Sequence, residues 1–166
     1  SRQKLLDSTK DAYEHQVTIE WLLNELLPFC SYVDADPEPK IVSLEHVHHL
    51  GTEVAGQLST PPCSILELVN TLHPTPAVGG DPQTQAPDII KKVEGIDRRR
   101  YAGPVGWMAA DGDGEFAVGI RSAEVKANTA RLFAGVGLVE DSDPQSELEE
   151  TEAKFKTMLN TFLSTM

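Results

Sequence analysis

YAGPVGWMAA (101–110), DGDG (111–114), EFAVGIRSAEVK (115–126), AN (127–128) and TARLFAGVGLV (129–139) follow one another without a break, and their reading decides the fold. The three longer pieces are strand-like runs, and the two short ones are turn sequences that suit antiparallel hairpins. They are expected to form one three-stranded antiparallel sheet. Helix signals lie on both sides. Upstream, Ser8 with Asp11 three residues on makes a capping-box-like start. Val17, Ile19, Leu22, Leu23, Leu26 and Leu27 then recur as a broad helical stripe, which Pro28 and the polar DADPEP segment (34–39) end. Between 40 and 58, Ile41, Val42, Leu44, Val47, Leu50, Val54 and Leu58 nearly alternate around Gly51, predicting a hairpin or a bent strand pair. Short helices are expected over 64–72 and 88–94, with a proline-rich loop at 73–87 between them. Downstream, Asp143 caps a last helix that has Pro144 in its first turn, with Leu148, Phe155, Leu159 and Phe162 as its buried stripe. The class is α+β: an antiparallel sheet with helices packed on it.

Composition narrows the function. The 166 residues carry 14 Lys and Arg against 26 Asp and Glu, a net charge of −12. A surface that acidic repels polyanions, which argues against a nucleic-acid partner and against anionic membrane surfaces. With 40% hydrophobic and 24% charged residues, wholesale disorder is not expected. No apolar run approaches the roughly 18 residues of a membrane span, and no leader-like segment opens the sequence. Cys30 and Cys63 form no paired-cysteine motif, so the expected setting is the reducing cytoplasm.

Several patterns carry chemistry only weakly. Asp111-Gly-Asp-Gly-Glu115 opens like a calcium loop, but Phe116 stands where glycine is needed and Ser122 where the closing glutamate belongs. Gly135-Val-Gly137 lacks the third glycine of a dinucleotide fingerprint, and reads better as a strand whose backbone something approaches closely. His46, His48 and His49 have no completing ligand nearby. On the last helix, Glu147, Glu150 and Lys154 share one stripe. Two adjacent carboxylates suit a Mg²⁺ that keeps waters and substrate oxygens. The same residues also read as first-turn acids favouring the helix dipole, with a surface Glu–Lys pair. Lys10 and Glu14, four apart on the first helix, read as a solvated pair.

Taken in order, STKDAYEH (8–15), VHHLG (47–51), LHPTPAVGGDP (72–82), YAGPVGW (101–107), GDGEFAVGIRSA (112–123), AGVGLVEDSDP (134–144) and ELEETEAK (147–154) resemble the C-terminal part of the chorismate-binding enzymes. This family includes isochorismate synthases, salicylate synthases and the large components of anthranilate and aminodeoxychorismate synthases. The likeness covers nearly the whole chain and is nearest to the isochorismate synthases. It implies that Glu14, Glu147 and Glu150 surround a Mg²⁺ holding the substrate's ring carboxylate. It further implies that Tyr101, Arg121, Lys154 and the backbone at Gly135 and Gly137 hold carboxylates, and that His49 lies near the ring hydroxyl. Chorismate is a dianion, so an acidic protein needs such local cations: Arg121 as a planar fork, Lys154 as a point charge.

Ala77 occupies a position that resembles alanine in isochorismate synthases and more often threonine in the other members. Arg99 stands where the family usually has glycine. The family's general-base lysine and general-acid glutamate belong to an N-terminal half that this sequence does not match. Residues 1–166 are therefore expected to be the C-terminal part of a chorismate-binding domain. The expected activity of the parent is Mg²⁺-dependent isomerisation of chorismate to isochorismate, for menaquinone or siderophore biosynthesis. The fragment alone is expected to be inactive and to self-associate or to need its missing half. A salicylate or anthranilate/aminodeoxychorismate-type enzyme is the alternative within the family, and a non-catalytic acidic interaction module the alternative outside it.

Overall fold

The computed structural model describes residues 8–43 and 48–163. The order is α1 (Thr9–Leu26), β1 (Cys30–Ala35), β2 (Lys40–Ser43), β3 (His48–Gly51), β4 (Val54–Leu58), α2 (Ile65–Leu72), α3 (Pro76–Gly79), α4 (Ala86–Glu94), β5 (Pro104–Met108), β6 (Gly114–Val118), β7 (Ala123–Lys126), β8 (Thr129–Leu132) and α5 (Pro144–Leu163). Helices and antiparallel strands together make the α+β class that the sequence implies.

The helix starts follow capping chemistry. The Ser8 hydroxyl accepts from the Asp11 amide at 3.1 Å. Ser64 and Glu67 close a full capping box on α2. Asp143 accepts from the Ser146 amide at 2.8 Å, and that bond, with others from the same turn, holds its carboxyl below the usual range. Gly95 ends α4 in the left-handed conformation at φ 62°. α1 packs against β1, β3, α2 and α3, while α5 lies on β8.

The strands depart from the expected sheet. Among the described residues, four separate two-stranded antiparallel ladders form: β1–β4, β2–β3, β5–β6 and β7–β8. The run 115–126 is not one strand. Its ladder with 102–108 closes at Gly119, whose amide donates to the Gly103 carbonyl at 2.8 Å. Arg121 then takes a positive φ of 49°, and the chain turns away into β7. The run 129–139 is a strand only to Leu132, so Gly135-Val-Gly137 is not in a strand. Within 40–58, β2 and β3 form the expected hairpin, but β4 turns back to pair with β1, a strand the sequence reading passed over. His46 and Val47 lie outside the described residues.

Residues 73–87 are not an irregular loop throughout. Pro76 starts α3, where its missing N–H costs nothing, and Pro76 and Gly79 are buried. Gln83 donates to the Pro74 carbonyl at 2.8 Å, and Arg98 donates to the Val78 carbonyl at 2.7 Å. The stripe expected to be buried on α5 is largely open: Leu148 is 53%, Leu159 48% and Phe155 37% exposed. Phe162 is half-buried. The hydrophobic stripe follows the helical period, but among the described residues β8 is the element α5 chiefly packs on, so much of that face stays open.

Candidate functional site

The first turn of α5 and the first turns of α1 meet through three charged side chains. Glu147 is one of the few buried residues, at 6% exposure. Its Oε1 accepts from Lys10 Nζ across 137 residues of sequence. One turn along α1, Glu14 Oε1 stands 3.6 Å from the same ammonium, too far for a hydrogen bond. Glu14 Oε1 and Glu147 Oε2 are both buried and have no hydrogen-bond partner among the described residues. Burial raises the Glu14 carboxyl above its ordinary value, more than Lys10 lowers it. Burial opposes the charge on Lys10, but the bond to Glu147 and the charges of Glu14, Glu147 and Glu150 outweigh it and hold the ammonium above 10.5.

Gly137 explains how the Glu14 carboxylate fits. A Cβ at that position would stand 2.9 Å from Glu14 Oε2. Gly135 serves a neighbour in the same way, since a Cβ there would lie 3.1 Å from the Tyr101 hydroxyl. Tyr101 is held by stacking on Phe133, with centroids 5.2 Å apart and planes 12° from parallel. Arg98 lies 5.8 Å over the Tyr101 ring. Burial pushes the phenol's pKa up, so it remains a neutral donor. Beside the two glycines, Val136, Leu138, Val139 and α5 line an open groove of about 400 Å³ whose wall includes Glu147 and Thr151.

The cationic side forms next to this. Lys154 Nζ contacts Glu150 Oε1 at 2.8 Å and donates to the Gly135 carbonyl at 3.0 Å. Arg121 donates to His49 Nε2. An arginine cannot accept, so His49 presents a lone pair at Nε2. Burial, then the charges of Arg121 and Lys154, lower the His49 pKa below 6.5. That keeps the imidazole neutral.

The structure thus brings Glu14 and Glu147 together, and Tyr101, Gly135 and Lys154 together, with His49 on Arg121. Glu150 is turned to Lys154 rather than to the buried pair, though its charge reaches Lys10. Among the described residues, no three His, Cys, Asp or Glu side chains meet as a ready metal set. Ala77 is exposed on α3, which packs against α1. Lys10 is the residue whose part was missed. Its i, i+4 spacing to Glu14 was visible, but its partner on α5 was not. His15 was also passed over; it meets the Thr52 hydroxyl at 2.7 Å and ties α1 to the β3–β4 turn.

Known proteins resemble this chain in sequence and fold along nearly its whole length. The isochorismate synthase MenF of Bacillus subtilis is 44% identical over 157 residues, covering 95% of this chain and 33% of that protein. A crystal structure of DhbC from Bacillus anthracis superposes with a TM-score of 0.93 at 46% identity, covering 96% of this chain and 43% of that one. Anthranilate synthase component I from Streptococcus pneumoniae superposes with a TM-score of 0.82 at 30% identity, covering 95% and 36%. The chain therefore spans between a third and a little over two-fifths of the length of these relatives. No helix among the described residues is long and apolar enough to cross a membrane. The family model for chorismate-binding enzymes matches residues 1–163, and the chain belongs to that family.

Proposed function

We propose that the complete protein is an isochorismate synthase and that this chain, as the C-terminal part of its chorismate-binding domain, supplies the metal and carboxylate side of the site. The observation that carries the reading is the pair of buried carboxylate oxygens of Glu14 and Glu147 that have no partner among the described residues; the cations Arg121 and Lys154 both act on His49. Buried polar atoms without partners are uncommon, and two from facing helices call for a shared cation. The donors are hard oxygens, which suits Mg²⁺. Glu14 and Glu147 would hold it, and Glu150 would join them by leaving Lys154. The ion would neutralise a substrate carboxylate. The other work falls to this chain's own residues. Arg121 and Lys154 would neutralise and orient the dianion's carboxylates, and Tyr101 would donate to one of them. The close approach allowed by Gly135 and Gly137 would bring backbone N–H donors within reach. His49, held neutral with Nε2 accepting from Arg121, would donate from Nδ1 to a ring hydroxyl.

In the overall reaction a water adds at C2 of the ring while the C4 hydroxyl departs. The proton acceptor and donor for that exchange have no counterpart among the residues matched here, so turnover is assigned to the complete protein alone. The related B. subtilis MenF carries the isochorismate synthase name at 44% identity, which favours isomerisation. Ala77, small where other family members more often carry threonine, points the same way. Two unpaired thiols, Cys30 and Cys63, suit a cytoplasmic location. The open apolar surface suits self-association of the isolated chain.

The test is product analysis. The complete protein with chorismate and Mg²⁺ should yield isochorismate, and the isolated 166-residue chain should yield nothing. Salicylate, or anthranilate in the presence of ammonia, would move the assignment to another branch. Neither turnover nor chorismate binding would leave an acidic interaction module.

A further inference from the structure

We propose that Lys10 is an internal counter-cation that occupies the Glu14–Glu147 pair when no metal is bound and is displaced when a divalent cation enters. The inference rests on the reading of those two carboxylates as metal ligands. Two features of the contacts lead to it. The ammonium bonds one oxygen of Glu147, lies 3.6 Å from Glu14, and leaves a buried oxygen on each carboxylate without a donor among the described residues. One charge therefore answers two buried carboxylates incompletely. A divalent oxygen-seeking ion would answer both, so the lysine and the ion cannot hold the pair at once.

The second feature is an exit. The Lys10 side chain is 24% exposed while that of Glu147 is only 8% exposed. The flexible stem of Lys10 can turn its head to water, whereas Glu147 is fixed at the start of α5, where its amide donates to the Asp143 carbonyl at 3.0 Å. Lys10 thus protects the protein from a pair of buried, mutually repelling carboxylates in the metal-free state. The consequence is weaker metal binding. A site that is competent only when Lys10 is out has its affinity reduced by the fraction of time it is out.

The experiment uses the complete protein stripped of metal by chelator, with Mg²⁺ binding measured by calorimetry for wild type, Lys10→Met and Lys10→Arg. Lys10→Met should bind Mg²⁺ at least threefold more tightly, and about tenfold if Lys10 occupies the pair nine-tenths of the time. Lys10→Arg, which keeps a cation in place, should bind no more tightly than wild type. A second measurement needs no variant: reductive methylation of wild type, read by mass spectrometry, should find Lys10 several-fold more reactive with saturating Mg²⁺ than without. If Lys10→Met does not fold, this labelling decides. Unchanged or weaker affinity in Lys10→Met, or labelling that does not rise with Mg²⁺, overturns the displacement while leaving the carboxylates as metal ligands. Absence of Mg²⁺ binding in the wild type overturns both.

Discussion

Arg121 and His49 form a pair in which one member fixes the protonation of the other. The guanidinium stays charged and can only donate, so His49 Nε2 must accept. Burial, Arg121 and Lys154 all push the imidazole toward its neutral form. A histidine with a depressed folded pKa favours folding fully above its ordinary 6.5, and loses that contribution as pH falls below it. NMR titration should place the His49 midpoint below 6.5, and Arg121→Met should move it upward; an unmoved midpoint would show that Arg121 does not set it. The carboxylates separate in the same manner. On the proposed metal site, Glu147→Gln should weaken Mg²⁺ binding by more than tenfold in calorimetry, because it would remove a buried carboxylate oxygen. Glu150→Gln should weaken it less, since Glu150 starts from a partly exposed bond to Lys154; equal losses would refute this ranking. In the sequence, the family likeness is what singles out these acids, Arg121 and Lys154. It could not reveal that Lys10 bridges α1 to α5, because a pair 137 residues apart leaves no periodic trace.

Elements were legible where a local rule decided them. Ser8, Ser64 and Asp143 each start a helix, because a short side-chain acceptor meets an amide that the helix cannot satisfy. Ser64→Ala removes a capping box and should cost about 1 kcal/mol in thermal unfolding; no change would mean that α2 is held by its packing alone. The Ile65 amide also donates to the Gly112 carbonyl, so fraying of α2 should loosen the β5–β6 turn. Strand pairing was less legible. Arg121 turns the chain at a positive φ, and arginine gives no hint of that in sequence. β1 was hidden because its outward side chains, Tyr32 and Asp34, look like the start of a polar loop. Gly106 is the reverse case, a strand glycine with a visible reason. A Cβ there would come 2.0 Å from the Glu115 carbonyl oxygen and 2.6 Å from the Phe116 ring. Gly106→Ala should therefore force β5 from β6 and destabilise by about 1–3 kcal/mol or more. A melting point within a degree of wild type would contradict this register.

At the scale of the whole molecule, surface outweighs core. A compact monomer of 18.1 kDa should expose about 8,100 Å², yet the chain exposes 11934 Å². The excess, roughly 3,800 Å², is more than twice what a standard protein interface removes from water. Among the described residues few apolar side chains are buried: Ala102, Phe133 and Pro76. Val105 and Trp107 stand exposed on one face of β5, and Leu148 and Leu159 stand exposed on α5. Among the described residues all four ladders have two strands, so each keeps backbone along its outer edges that no described strand pairs. A two-stranded ladder is marginal alone, and open edges recruit further strands. Apolar faces of this extent seek a partner. The relatives carry more than twice the length of this chain, which is room for a covering layer. The isolated 166-residue chain should therefore self-associate at micromolar concentration in sedimentation and bind a hydrophobic dye. Trp107→Lys combined with Leu159→Lys should reduce both signals, because each puts a charge where an apolar partner would have to sit. Net charge works against association, since copies at −12 repel. Raising salt should therefore strengthen self-association, by screening the repulsion and leaving the apolar contact intact. A compact monomer that binds no dye at any salt would mean that these faces find their cover within the chain itself.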